Sequence, residues 1–157
     1  MIEGPSISGT FNLLPGHVKA RIRCDDKADI FVNGQLAHST LAWTDVWMAA
    51  LGADVSVVAV KCKNDLGFGG LIASFSSGIV SSRHWKCHSG KPSERWTQID
   101  FDDSDWQHPC EWTDAIRESK KRSAFPEEAK WIWLPTCDRD KEYHAVYCRV
   151  SLGKYPT

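Results

Sequence analysis

Residues 17–39, HVKARIRCDDKADIFVNGQLAHS, decide the fold. Across His17–Cys24 the apolar Val18, Ala20 and Ile22 alternate with Lys19, Arg21 and Arg23. That period of two belongs to a strand with one buried face and one wet face. Ala28–Val32 reads as a second strand, followed directly by Asn33-Gly34. Both turn residues tolerate positive φ, which makes the pair the strongest short-range hairpin signal, so Gln35–Ser39 returns antiparallel.

Working outward, Val55–Lys63 (VSVVAVKCK) is β-branched and nearly continuous in apolar residues, as in a central strand covered on both faces. Gly67–Gly70 breaks the chain and Leu71–Phe75 resumes it. No G-K-[ST] or helix follows these glycines, so they serve close backbone packing and not phosphate binding. Residues 76–96 read as loops with short strands. Asp102-Asp103-Ser104-Asp105-Trp106 reads as an Asx turn anchored by a buried Trp106. Only Asp114–Lys121 has a helical look. Lys130–Leu134, with Trp131 and Trp133 on one face, and Tyr143–Leu152 close the chain as strands joined by the acidic loop Asp138–Glu142. Many short strands with Gly and Asn turns predict an all-β, antiparallel jelly-roll β-sandwich.

A chain of 157 residues, 42% of them hydrophobic, can bury one core, so residues 1–157 are expected to form a single domain. Lys+Arg 19 against Asp+Glu 20 leaves no broad basic surface, which argues against nucleic acid. No apolar run approaches the roughly 20 residues that span a bilayer, and no charged-then-apolar signal segment opens the chain, so membrane insertion is not expected. Eight tryptophans exceed what one core commonly needs and leave some for stacking on a ligand. The six cysteines, at 24, 62, 87, 110, 137 and 148, lack a C-x-x-C pair and point to disulfides in an extracellular setting. Six cysteines allow 15 connectivities. One bridge, Cys24–Cys62, is suggested because both residues lie at the C-terminal end of a predicted strand.

Asp25-Asp26 falls where the first strand ends. Adjacent carboxylates repel unless a cation or several donors neutralise them, and hard oxygen ligands suit calcium. The same residues could instead cap a tight turn. The hairpin returns to this end, so Ser39–Trp47 should lie near Asp25. Asn64-Asp65 joins them if the strand carrying Cys62 runs parallel in space to the one ending at Cys24. Trp43 stands outside any period-2 pattern and is expected to be exposed. His38, on the returning hairpin strand, completes the candidate contacts. Enzyme motifs are scarce: there is no H-E-x-x-H, no G-x-S-x-G, and His84 and His88 are four apart without a helical period.

The pattern Asp25-Asp26-x-Ala28-x-Ile30-Phe31-Val32-Asn33-Gly34, then Trp43, Val57–Lys61, Asn64 and Gly69-Gly70-Leu71, resembles the galactose-binding-domain-like modules attached to rhamnosidases and other glycoside hydrolases. Phe101-Asp102-Asp103-x-x-Trp106, Ala129-x-Trp131-Ile132-Trp133 and Tyr147-x-Arg149 are similar to further landmarks of those modules. A free-standing, cysteine-containing form is similar to small galactose-binding lectins of marine invertebrates. Asp25-Asp26 with Asn64 also resembles the calcium-holding trio of fungal adhesins of the anthrax-protective-antigen-like class. The resemblance implies a non-enzymatic, secreted lectin for galactose-containing glycans. Asp25, Asp26, Asn64 and Asp65 would hold calcium, and Trp43, Asp25, Asp26, Asn64 and His38 would meet the sugar. The alternative is a ligand-free accessory module of a glycoside hydrolase or adhesion protein. Agglutination by one site per chain would need at least a homodimer, through an exposed sheet face or an intermolecular disulfide.

Overall fold

The computed structural model describes residues 15–65, 69–113, 124–134, 137 and 144–152. Among these, ten strands form two antiparallel sheets packed as a β-sandwich, and there is no α-helix. The strands are β1 (Val18–Asp25), β2 (Lys27–Val32), β3 (Gln35–Ser39), β4 (Trp47–Leu51), β5 (Val57–Lys63), β6 (Gly70–Phe75), β7 (Lys86–Ser89), β8 (Cys110–Glu111), β9 (Ile132–Trp133) and β10 (Ala145–Ser151). One sheet has the order β4-β1-β6-β9-β8 and the other β3-β2-β5-β10-β7. The expected helix at 114–121 and the acidic loop at 138–142 lie outside the described residues.

The alternation in β1 works as its sequence implies. Ala20, Ile22 and Cys24 face the other sheet and are fully buried together with Ala28 and Ile30 of β2, Val58, Val60 and Cys62 of β5, and Leu71 and Ala73 of β6. Asn33 and Gly34 both take positive φ, 49° and 87°, and turn β2 into β3. Asn33 does more than turn. Its Oδ1 accepts the N–H groups of Ser56 and Val57 at 2.8 and 3.1 Å, tying the hairpin to the entry of β5. β5 is the central strand of its sheet, with buried residues on both faces.

All six cysteines pair within the chain: Cys24–Cys62, Cys87–Cys148 and Cys110–Cys137. The first joins the two sheets. The second links directly opposed residues of β7 and β10. No thiol is left for an intermolecular disulfide, so that route to a dimer is closed.

Both outer faces are covered. On the β1 side, Arg21 Nη1 donates to the carbonyl of Ala124 at 2.9 Å, and the Arg23 guanidinium lies over the rings of Trp43 and Trp131, 5.1 and 5.8 Å from their centroids. On the β5 side, Trp96, Phe101 and Trp106 pack on Ala59, Phe31 and Tyr147. Arg149, buried in β10, holds that cover in place. Its Nε donates to Asp103 Oδ2 at 2.8 Å, and Nη1 donates to the carbonyls of Trp96 and Gln98 at 2.6 and 2.9 Å. The Asp102 turn has its expected form, with the Ser104 N–H donating to Asp102 Oδ1 at 3.0 Å and Trp106 buried behind it. This bond holds the Asp102 carboxyl below its ordinary pKa. Its stabilising effect is therefore present above the unfolded-state pKa and fades as pH falls through the lower folded value.

Gly69 shows why a glycine is needed before β6. A Cβ there would overlap the indole of Trp133, and the Gly69 carbonyl accepts the Trp112 Nε1–H at 3.0 Å. Gly69→Ala should therefore lower stability by about 1–3 kcal/mol through overpacking, read as a fall of several degrees in the thermal midpoint. An unchanged midpoint would mean that the Trp133 ring moves aside without cost.

Candidate functional site

The sequence points to the end of the sandwich where β1 and β5 finish. The Cys24–Cys62 bridge fixes those two strand ends side by side, so the residues after each cysteine share one surface. Asp25 is the last residue of β1 and is buried, 7% exposed; Asn64 follows β5 and is 4% exposed. The Asp25–Asp26 peptide bond is cis. The Asp26 N–H donates to the carbonyl of Lys63 at 2.7 Å, and Asp26 Oδ2 accepts the Asp65 N–H at 2.8 Å. The Asn64 N–H donates to the carbonyl of His144 at 2.8 Å, which brings the entry of β10 to the same place. Asp25, Asp26, Asn64 and Asp65 are thus assembled by backbone and side-chain bonds among three chain segments.

Charge around the cluster is compensated at its rim. Lys27 pairs with Asp65 at 3.3 Å, and Lys63 with Asp29 at 3.8 Å. Pairs this exposed contribute about 0–1 kcal/mol, so they tune the local field more than they hold the fold. Asp29 is further committed, accepting a hydrogen bond from the Ser39 hydroxyl at 2.8 Å. It belongs to the β2–β3 pairing rather than to the acidic cluster.

Trp43 is presented by a short, well-anchored loop. Thr40, buried, exchanges bonds with Ala28: its N–H donates to the Ala28 carbonyl at 2.8 Å and its Oγ1 accepts the Ala28 N–H at 2.9 Å. Asp45 Oδ2 accepts the Leu41 N–H at 2.9 Å. Arg23 Nε donates to the Trp43 carbonyl at 2.7 Å while its guanidinium lies against the ring. Arg23 precedes Asp25 by two residues and so shares its strand face. Trp43, 38% exposed, therefore stands on the same end and face as Asp25. Arg23, Thr40 and Asp45 had no signal in the sequence beyond their polarity, since each acts through a partner that only the fold brings near.

His38 goes elsewhere. It sits opposite Ile30 on the edge strand β3, its ring stacked on Trp47 with centroids 6.4 Å apart. Four residues along the strand separate that level from Asp26, about 13 Å at 3.3 Å per residue. His88, the one strand histidine among the pair at 84 and 88, lies on Trp106 at 5.2 Å. Among the described residues no three His, Cys, Asp or Glu side chains form a metal-binding group. Two open depressions of about 350 Å³ each, one beside Arg149 and Asp103 and one beside Tyr147 and Lys61, include none of Asp25, Asp26, Asn64 or Trp43.

The chain matches none of the family models, curated proteins or solved structures with which it was compared. The three disulfides are compatible with an extracellular protein, and among the described residues no helix is long and apolar enough to cross a membrane.

Since the Trp43 carbonyl survives any side-chain change and the ring is more than a third exposed, Trp43→Ala should cost about 1–2 kcal/mol, the range from an exposed to a partly desolvated cation–π contact. Trp131→Ala, on the buried side of the same arginine, should cost about 3–5 kcal/mol. Urea unfolding of the two variants checks this. Equal losses would place Trp43 in the core.

Proposed function

We propose that this chain is a non-enzymatic, calcium-dependent lectin for galactose-containing glycans, built as a secreted, galactose-binding-domain-like jelly-roll module. The observation that carries the reading is the convergence of Asp25-Asp26 and Asn64-Asp65 at one end of the sandwich, with the exposed Trp43 held by Arg23, two residues before Asp25 on β1. The donor chemistry fits calcium: carboxylate and amide oxygens are hard ligands, and the strand ends add backbone carbonyls. Asp25, Asp26 and Asn64 would hold the ion, with Asp65 at the rim. Calcium, when bound, supplies coordination positions that two vicinal sugar hydroxyls can complete. Trp43 offers an apolar ring for the face of a galactose.

A second reading has its own observation. Asp26 Oδ2 accepts the Asp65 N–H, as a turn-capping aspartate does. On that reading the acidic residues only hold loops, and the chain is a ligand-free accessory module.

Asp26→Asn separates the two. The amide oxygen still accepts the Asp65 N–H, so metal-free unfolding should change by less than about 1 kcal/mol, whereas the charge a calcium site needs is gone. For the lectin, calcium raises the thermal midpoint of the wild type, chelation abolishes galactose binding and added calcium restores it. Asp25→Asn and Asp26→Asn each lose both effects. Trp43→Ala weakens galactose binding by about 1–3 kcal/mol, followed by tryptophan fluorescence. A wild type that neither gains stability from calcium nor binds galactose in its presence leaves the accessory reading standing.

A further inference from the structure

Among the described residues, the cover on the outer face of the β5 sheet ends partway along the strands. Trp96, Phe101 and Trp106 lie over the level at which Phe31, Ala59 and Arg149 stand opposite one another. Two residues along, Asp29 of β2, Lys61 of β5 and Tyr147 of β10 form the next row. There a depression of about 350 Å³ opens between this row and Lys91, Ser93 and Glu94 of the facing segment. That volume falls at the lower end of the range for small-ligand sites.

The polar groups of this depression are not engaged as those beside Arg149 and Asp103 are. There, Arg149 donates to Asp103 and to the carbonyls of Trp96, Gln98 and Phe101, and Lys86 Nζ lies 3.5 Å from the carbonyls of Ser104 and Trp106. Here, the half-buried Lys61 sets its ammonium over the face of Tyr147, 5.6 Å from the ring centroid, and forms no ion pair among the described residues. The carboxylate opposite it, Asp29, is held by Lys63 and the Ser39 hydroxyl. Tyr147 is half-buried too, and its hydroxyl has no hydrogen-bond partner among the described residues. An ammonium and a hydroxyl donor therefore adjoin an aromatic floor, in which Trp96 meets Phe31 and Tyr147 edge to face at 5.5 and 5.1 Å.

We propose that this depression binds an acidic sugar, a pyranose carrying a carboxylate or a sulfate. Lys61 Nζ and the Tyr147 hydroxyl donate to the anionic group, with Lys91 as a second cation at the rim. Charge-assisted bonds of this kind are stronger than neutral ones. The C–H face of the pyranose rests on the rings, and its remaining hydroxyls meet Ser93 and Glu94. A bare anion would leave the aromatic floor uncovered. An aromatic acid would leave the donors and acceptors of the rim unmet. The inference does not rest on the calcium reading, since its residues lie on strand faces and the facing segment and none belongs to the acidic loops.

Galacturonate, a sulfated galactose and plain galactose can be titrated into the full, calcium-free chain and followed through its amide resonances. Either acid should shift Lys61, Ser93 and Tyr147 and leave Asp26 and Asp65 in place, and the tighter of the two names the anionic group. Galactose should bind at least about tenfold more weakly, having lost the charge-assisted bonds. Lys61→Met keeps the stem and removes the charge, and should weaken the acids about tenfold. Tyr147→Phe keeps the ring and should weaken them about fivefold, the loss of one neutral donor; it carries the test should Lys61→Met lower the thermal midpoint. The inference is overturned if neither acid moves these resonances, or if galactose binds as tightly as the acids. It is equally overturned if sulfate ion alone binds as tightly as the sulfated sugar, or if both variants bind unchanged.

Discussion

The bridge between Cys24 and Cys62 is the constraint on which the loop end depends. Each cysteine lies fully buried on the inner face of a different sheet; Asp25-Asp26 follows Cys24 directly, and Asn64-Asp65 follows Cys62 after one residue, Lys63. Closing a 38-residue separation removes about 4 kcal/mol of denatured-state entropy in the chain-entropy account. The local consequence matters more. With the strand ends held at a Cα separation of 5.7 Å, the Asp26 carboxylate reaches the Asp65 amide, and the Asp26 amide reaches the Lys63 carbonyl. The β2–β5 ladder, in which Lys27 stands opposite Lys63, holds the same contacts from the other side.

The tryptophans follow from a second constraint, that both outer faces of the sandwich are covered. Composition suggested more indoles than one core needs. Six of the eight, at 85, 96, 106, 112, 131 and 133, are nevertheless buried, because this chain builds a main core between its sheets, extends it under the cover on the β1 side, and adds a smaller cluster outside β5. Trp47 is half-buried at the seam of the two edges. Only Trp43 is exposed, so an indole contact with a ligand has one candidate ring. The arginines complete this arrangement. Arg23 and Arg149 project from strand faces that would be wet in a simple sandwich, and each is buried by the loop whose carbonyls it binds.

Much of this was legible in the sequence where structure is local. Alternation in β1, the Asn33-Gly34 turn, the apolar run of β5 and the Asp102 turn all depend on neighbours within a few residues, whereas at Gly69 the glycine itself marked close packing but not its distant partner Trp133. The Cys24–Cys62 bridge was legible because it follows from strand direction. Other features were not. β4 has no β-branched residue except beyond its ends and draws its identity from β1, 25 or more residues away. β8 and β9 are two residues each, too short to show a period. The Arg149–Asp103 pair spans 46 residues and the Asp26–Asp65 bond 39, separations at which composition and periodicity carry no information. The surroundings of His38 were not legible either: it lies one residue before the end of β3, and its ring meets Trp47 of the other sheet, a contact that only the fold brings about.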